Sequence, residues 1–172
     1  PSYPTPASTE VFNFVSAALT VGGTVTVPTT TALATGGTSV ADVIDFSVTV
    51  DHDLDDEGRY IGGLGKRGRP PVGRMRKVTG KVSAEFASAT YRDALRDNSA
   101  LALVATFQAA TDITASNKPT LQVVIPDVRF RGGLPQANKG DVIKQDLEFT
   151  AFDGLVAAHA LYIATRTSDT AL

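Results

Sequence analysis

Asp51, Asp53 and Asp55 set three carboxylates at alternate positions, the spacing with which the first half of a calcium loop converges oxygens on an ion. The second half is missing. The sixth position is Asp56, where glycine makes the sharp turn, and the twelfth is Gly62, where a bidentate Glu closes the shell. An EF-hand is excluded, which leaves a looser divalent-ion site or an acidic run facing solvent or a partner, and the run fits better. Gly63-Leu64-Gly65-Lys66-Arg67-Gly68 reproduces G-x-G-x-x-G. Pro70-Pro71 follow it, however, where a dinucleotide site needs a helix whose N-terminus meets the pyrophosphate. His52 and His159 are the two imidazoles, and neither stands in metal-ligand or triad spacing. With no cysteine and no serine in a nucleophile turn, acyl transfer has no visible machinery. No pair of carboxylates is nominated for glycosidase chemistry, whose spacing is spatial rather than sequential. The expectation is a non-enzyme, with no cofactor and no metal.

What the charges do instead is separate. Asp51, Asp53, Asp55, Asp56 and Glu57 come first, and Arg59, Lys66, Arg67, Arg69, Arg74, Arg76, Lys77 and Lys81 follow with no acid among them. These cations are half of the chain's 16 basic residues. Three readings stand: a solvated loop, a grip on nucleic-acid phosphate by counterion release, and acidic and basic blocks that meet their opposites on neighbouring copies. Against the second, Tyr60 is the one ring between Asp51 and Lys81, whereas single-strand platforms stack bases on several aromatics. Blocks of both signs suit the third best.

Two strands must hold this segment. Ile44, Phe46, Val48 and Val50 are apolar at every second position, and Val78, Val82, Ala84 and Phe86 repeat the pattern, as expected of strands with one buried face. The stretch between them exceeds twenty residues, against the two to five of an ordinary hairpin loop.

Before them lies a compositional island. Residues 1–41 carry one charge, Glu10, and ten of the first 40 residues are threonine. The Pro/Ser/Thr-rich start reads as an extended arm. The runs VFNFVSAALTV and TVTVP read as a strand pair, with Gly22-Gly23 as a hairpin turn or bulge. Residues 29–42 read as a linker with a second turn at Gly36-Gly37.

After Phe86, Ser88 or Thr90 can cap a short helix with Ala94 and Leu95 on its apolar side and Asn98 as its stop. Strands resume with Leu101, Leu103, Ala105 and Phe107 alternating, then with TLQVVIPDVRFRG, in which Pro126 belongs at a strand end or bulge. They continue with Ile143, Leu147, Phe149 and Ala151 on one face, and finally with Leu161, Ile163 and Thr165 opposite Tyr162. The fold class is mainly β: a β-sandwich or barrel with one short flanking α-helix and a long charged loop at 51–77. The expected division is an N-terminal arm and strand pair over 1–41 and a sandwich domain over 42–172. A net charge of -2 with 42% hydrophobic residues points neither to disorder nor to a generally basic nucleic-acid binder. No apolar run approaches a membrane-spanning length, no membrane partner is expected, and no secretory leader is visible.

The order of these segments resembles the tail tube proteins of long-tailed bacteriophages from Val43 to the C-terminus. The ordered parts are IDFSVTVD, the Gly/Arg segment YIGGLGKRGRPPVGRMRKVTGKVSAEF, the helix with Tyr91 and Leu95, a strand, IPDVRFRGGLP, DVIKQDLEFTAFD and the closing LYIATRTSD. The resemblance implies a virion protein, assembled in the host cytoplasm, whose partners are copies of itself and other tail proteins. Copies would form hexameric rings stacked into a hollow tube, with phage DNA as a non-specific passenger. It casts Asp51, Asp53, Asp55, Asp56, Glu57, Arg59, Lys66, Arg67, Arg69, Arg74 and Arg76 as an intersubunit and ring-stacking loop. A lumen that lets DNA slide should present few cations, which makes Asp146 and Glu148 candidates for its wall. The alternative class is a nucleic-acid-binding β-barrel gripping phosphate through residues 59–81. A third is a monomeric carbohydrate- or peptide-binding sandwich.

Overall fold

The computed structural model describes residues 12–40, 43–54, 75–85, 90–114, 117–133, 143–153 and 156–167. After a 3-10 turn at Phe14–Ser16 come β1 (Ala17–Val21), β2 (Val25–Thr26), β3 (Thr35–Gly36), β4 (Ser39–Val40), β5 (Val43–Asp51) and β6 (Lys77–Glu85). Then follow α1 (Thr90–Asp97), β7 (Leu101–Gln108), β8 (Thr120–Gly132), β9 (Lys144–Ala151) and β10 (Tyr162–Arg166). The expected mainly β, sandwich-like architecture with one helix is what is found. Eight strands share one sheet in the order β4-β1-β7-β8-β9-β6-β5, with β10 on the remaining edge of β8, while β2 and β3 pair separately.

The core shows why these residues make these strands. Val78, Val82, Ala84, Leu103, Ile125, Val128, Phe130, Leu147, Phe149 and Ala151 bury one face of β6 to β9 in a single cluster, with Phe46, Val48 and Val50 of β5 packed against it. The sheet curls far enough that residues from β1, β4 and β5 line one common groove. Gly80 sits opposite Phe149 in the register, and Phe149 stacks on Phe46 and meets Phe130 edge-on.

Two bulges change which residues face inward. On β5 the register slips between Val43 and Asp45, so Val43 joins Phe46, Val48 and Val50 against the core. Ile44, expected inside, is 42% exposed. On β8, Ile125 pairs with Leu103 but Val128 pairs with Leu101, so Pro126 and Asp127 face the single residue Ala102. Pro126 therefore occupies the bulge where a residue without N–H is tolerated. One extra residue inverts the alternation, which is why Ile125 and then Val128 and Phe130 reach the same cluster.

The helix ends as its sequence directs. Asn98 takes a left-handed φ of 48°, and the Ser99 N–H bonds the Ala94 carbonyl, closing a Schellman cap. Tyr91 and Ala94 are buried, and Tyr91 meets Phe130 at 6.0 Å, nearly perpendicular. Of the two candidate N-caps, Thr90 is the first helical residue and Ser88 lies outside the described residues.

The Thr-rich island departs most from expectation. Strands β1 and β2 do not pair with each other; β1 pairs with β4 and β7, and β2 pairs with β3. Together they form one long hairpin whose tip is closed by Thr29 N–H to Ala32 O. Gly22, Gly23, Gly36 and Gly37, all at positive φ, face one another at its kink. The glycine pairs thus lie at a register break within the hairpin, between Thr20↔Ser39 and Val25↔Gly36, rather than at its turn. The far end of the hairpin covers β7 and β8, where Ala34 joins Val104 and Val124 in a second buried cluster. Gln122 fixes it there, its Oε1 accepting from Ala34 N at 2.8 Å and its Nε2 donating to Thr106 Oγ1 at 3.1 Å. Strand β7 is therefore buried on both faces at Ala102–Ala105, where alternation alone predicts one.

Candidate assembly surfaces

The side of β5, β6, β9 and β8 turned away from the core is polar because each strand alternates. Paired positions build rows across it: Asp45, Ser83 and Asp146; then Ser47, Lys81, Glu148 and Arg131; then Thr49, Thr79, Thr150 and Arg129. Asp146 Oδ1 accepts from Ser83 Oγ at 2.5 Å. Glu148 pairs with Lys81 at 3.2 Å, both side chains about two-thirds exposed, so the pair adds little stability. The two carboxylates expected on a luminal wall thus share one exposed face, but they share it with Lys81 and Arg131. Lys77 and Lys81, the last two cations of the basic run, belong to β6.

Of the loop charges, Asp51 closes β5 opposite Lys77. Its Oδ1 accepts from Asp53 N at 2.9 Å, a local turn in which Asp53 adopts φ 43°. Arg76 is exposed just before β6. Asp55, Asp56, Glu57, Arg59, Lys66, Arg67, Arg69 and Arg74 lie outside the described residues. Among the described residues, no group of three or more His, Asp or Glu is placed to hold a metal ion, and no helix is long and apolar enough to cross a membrane.

Among the described residues the main sheet has three open edges, at β4, β5 and β10. Strand β5 has β6 on one side and, among the described residues, no strand on the other, and β4 is an edge of only two residues. A nine-residue edge presents a row of backbone donors and acceptors that invites another strand.

Charge patterning did not reveal the apolar surface. Phe14 is 71% exposed and Val15 93%, on a turn held by Asn13 Oδ1 accepting from Ser16 N at 2.9 Å. Met75, Phe152 and Ile163 are exposed as well. Ile163 shares a β10 face with Thr165, as alternation predicts, but that face points outward while Tyr162 packs against the second cluster. The uncharged FNFV run is the one signal in the sequence for the first of these. Deep in the bulge, Asp127 is 1% exposed and pairs with Arg129 at 3.4 Å. Arg129 also donates to the Asn98 carbonyl, tying the bulge to the helix end.

The family model described as phage tail tube protein matches residues 1–151. It takes in the Thr-rich residues that the sequence resemblance leaves aside, and it ends with the last residue of β9, before β10. No curated protein matches the chain.

Proposed function

The chain belongs to the phage tail tube protein family, and from that premise we propose that it assembles into hexameric rings that stack as the hollow tube through which the genome is delivered. A structural role in the virion tail follows from the family itself. The finer reading rests on one observation: a curled sheet that, among the described residues, is left open at a nine-residue edge strand. Such an edge is an aggregation liability in an isolated protein and an assembly device in a ring, where the neighbour pairs it. In this reading the polar rows carrying Asp146 and Glu148 line the lumen, where Lys81 and Arg131 offset part of their charge. DNA passes as a non-specific passenger, and the chain performs no catalysis. The charged loop from Asp51 to Arg76 reaches the adjacent subunit or ring, with its acidic and basic blocks fixing register.

Electron microscopy of the purified protein over a concentration series, with light scattering for mass, tests this. Rings or hollow tubes are expected. A strict monomer at every concentration, combined with DNA binding that weakens log-linearly with salt, would replace it with the phosphate-gripping reading.

A further inference from the structure

The described surface carries an apolar knob and an apolar recess at opposite ends of one strand. The knob is Phe14 and Val15, presented by the capped turn beside the Val43 end of β5. The recess, about 550 Å³, lies at the Val50 end, floored by Val78 and Ala151 with Leu161 beside them and Met75 on its rim. Strand β5 sets its Val43 and Val50 ends apart by roughly 23 Å at the usual rise of a strand. The knob's groove carries one charged residue, exposed Asp45, and the recess carries two exposed cations, Arg76 and Lys77, against one exposed acid, Asp153.

From this we propose that the Phe14–Val15 knob of one copy seats in the Val50–Met75–Leu161 recess of the next, with Asp45 facing Arg76 across the contact. The occupant is a second copy of this chain. Knob and recess are different surfaces, so the contact is head-to-tail and repeats along an axis instead of closing a two-fold dimer. Phe14 and Val15, 71% and 93% exposed, gain by leaving water, and an apolar centre with charge at its rim is the ordinary anatomy of an interface. The inference rests on the self-assembly reading above and names the contact that would join successive rings.

The chain contains no cysteine, which allows a clean test. Full-length Val15→Cys and Met75→Cys proteins are purified separately, checked for native circular dichroism, mixed under mild oxidation and run on a non-reducing gel. A covalent dimer in the mixture, and none in either protein alone, is the expected result. Dimers of Val15→Cys alone would overturn the head-to-tail geometry. No mixed dimer, while the wild type forms tubes by microscopy, would overturn this contact and leave the tube reading intact; a mixed dimer without tubes would do the reverse. In the tube assay, Asp45→Arg sets two cations against each other across the contact and should raise the concentration at which tubes appear by roughly tenfold. Adding Arg76→Asp should restore it, and failure of that rescue would refute the pairing of these two charges.

Discussion

At Gly80 a single added carbon would meet the Ser47 carbonyl oxygen at 2.1 Å and the Phe149 ring at 2.4 Å. Neither can retreat, since the carbonyl belongs to the neighbouring strand and the ring is wedged between Phe46 and Phe130. Gly80→Ala should therefore destabilise by about 1–3 kcal/mol, as overpacking does. Thermal unfolding would register this as a Tm lower by about 2–4 °C per kcal/mol in a chain of this size; an unchanged Tm would show that the strands can part. Arg129 gives the second test at a single position. Replacing it with Met leaves the Asp127 carboxylate buried without its ion-pair partner, which typically costs about 3–5 kcal/mol. Arg129 is itself partly solvated, so the low end is expected, read as a lower midpoint in urea. The matched variant Asp127→Asn with Arg129→Met should recover part of the loss, because the stranded charge is gone.

The hairpin and β10 are the elements whose contributions can be separated. Gln122→Ala removes the side chain that accepts from Ala34 N and donates to Thr106, leaving buried groups unsatisfied at a cost of about 1–3 kcal/mol. Its local signature is faster proteolysis at the Thr29–Ala32 tip while the main sheet stays protected; uniform cleavage would mean that the hairpin is not a separable unit. Strand β10 covers the edge of β8 over Thr120–Val124, and Arg166 clamps the β7–β8 connection through Lys118 O, Asn117 and Thr120. Ending the chain after Leu161 uncovers that edge and its flanking apolar residues. The expected outcome is a lower Tm with amorphous aggregation in place of ordered assembly. Ordered tubes from the truncated chain would show β10 to be dispensable, in keeping with its place beyond the family-matched residues.

For the whole molecule, the proposed assembly would draw on open edges, on blocks of charge and on the apolar knob, and these respond differently to salt. Charge contacts between exposed groups weaken as the Debye length shortens, whereas edge pairing and apolar seating persist. Reversing Arg67, Arg69 and Arg74 together to Glu should prevent tubes from forming while the isolated subunit keeps its circular dichroism and Tm. Tubes formed normally by that variant would remove the loop from the assembly reading.

The sequence by itself determined the elements. Period-two alternation placed β5, β6, β7 and β9, the left-handed tendency of Asn98 ended the helix, and Pro126 marked a bulge, since each rests on local backbone chemistry. It also carried the resemblance to the tube family, through the order of those elements. Parity beyond a bulge was hidden: Ile44 alternates as well as Val43 does in the sequence, and only pairing against Ala84 and Ser83 decides which one turns inward. The partners of the Thr-rich strands were hidden for the same reason, because β1 finds β7 and Gln122 finds Ala34 88 residues away, and no local pattern encodes such a contact. Tertiary structure alone decided that a segment resembling a linker covers the core, and that Phe14 and Val15 face out rather than in.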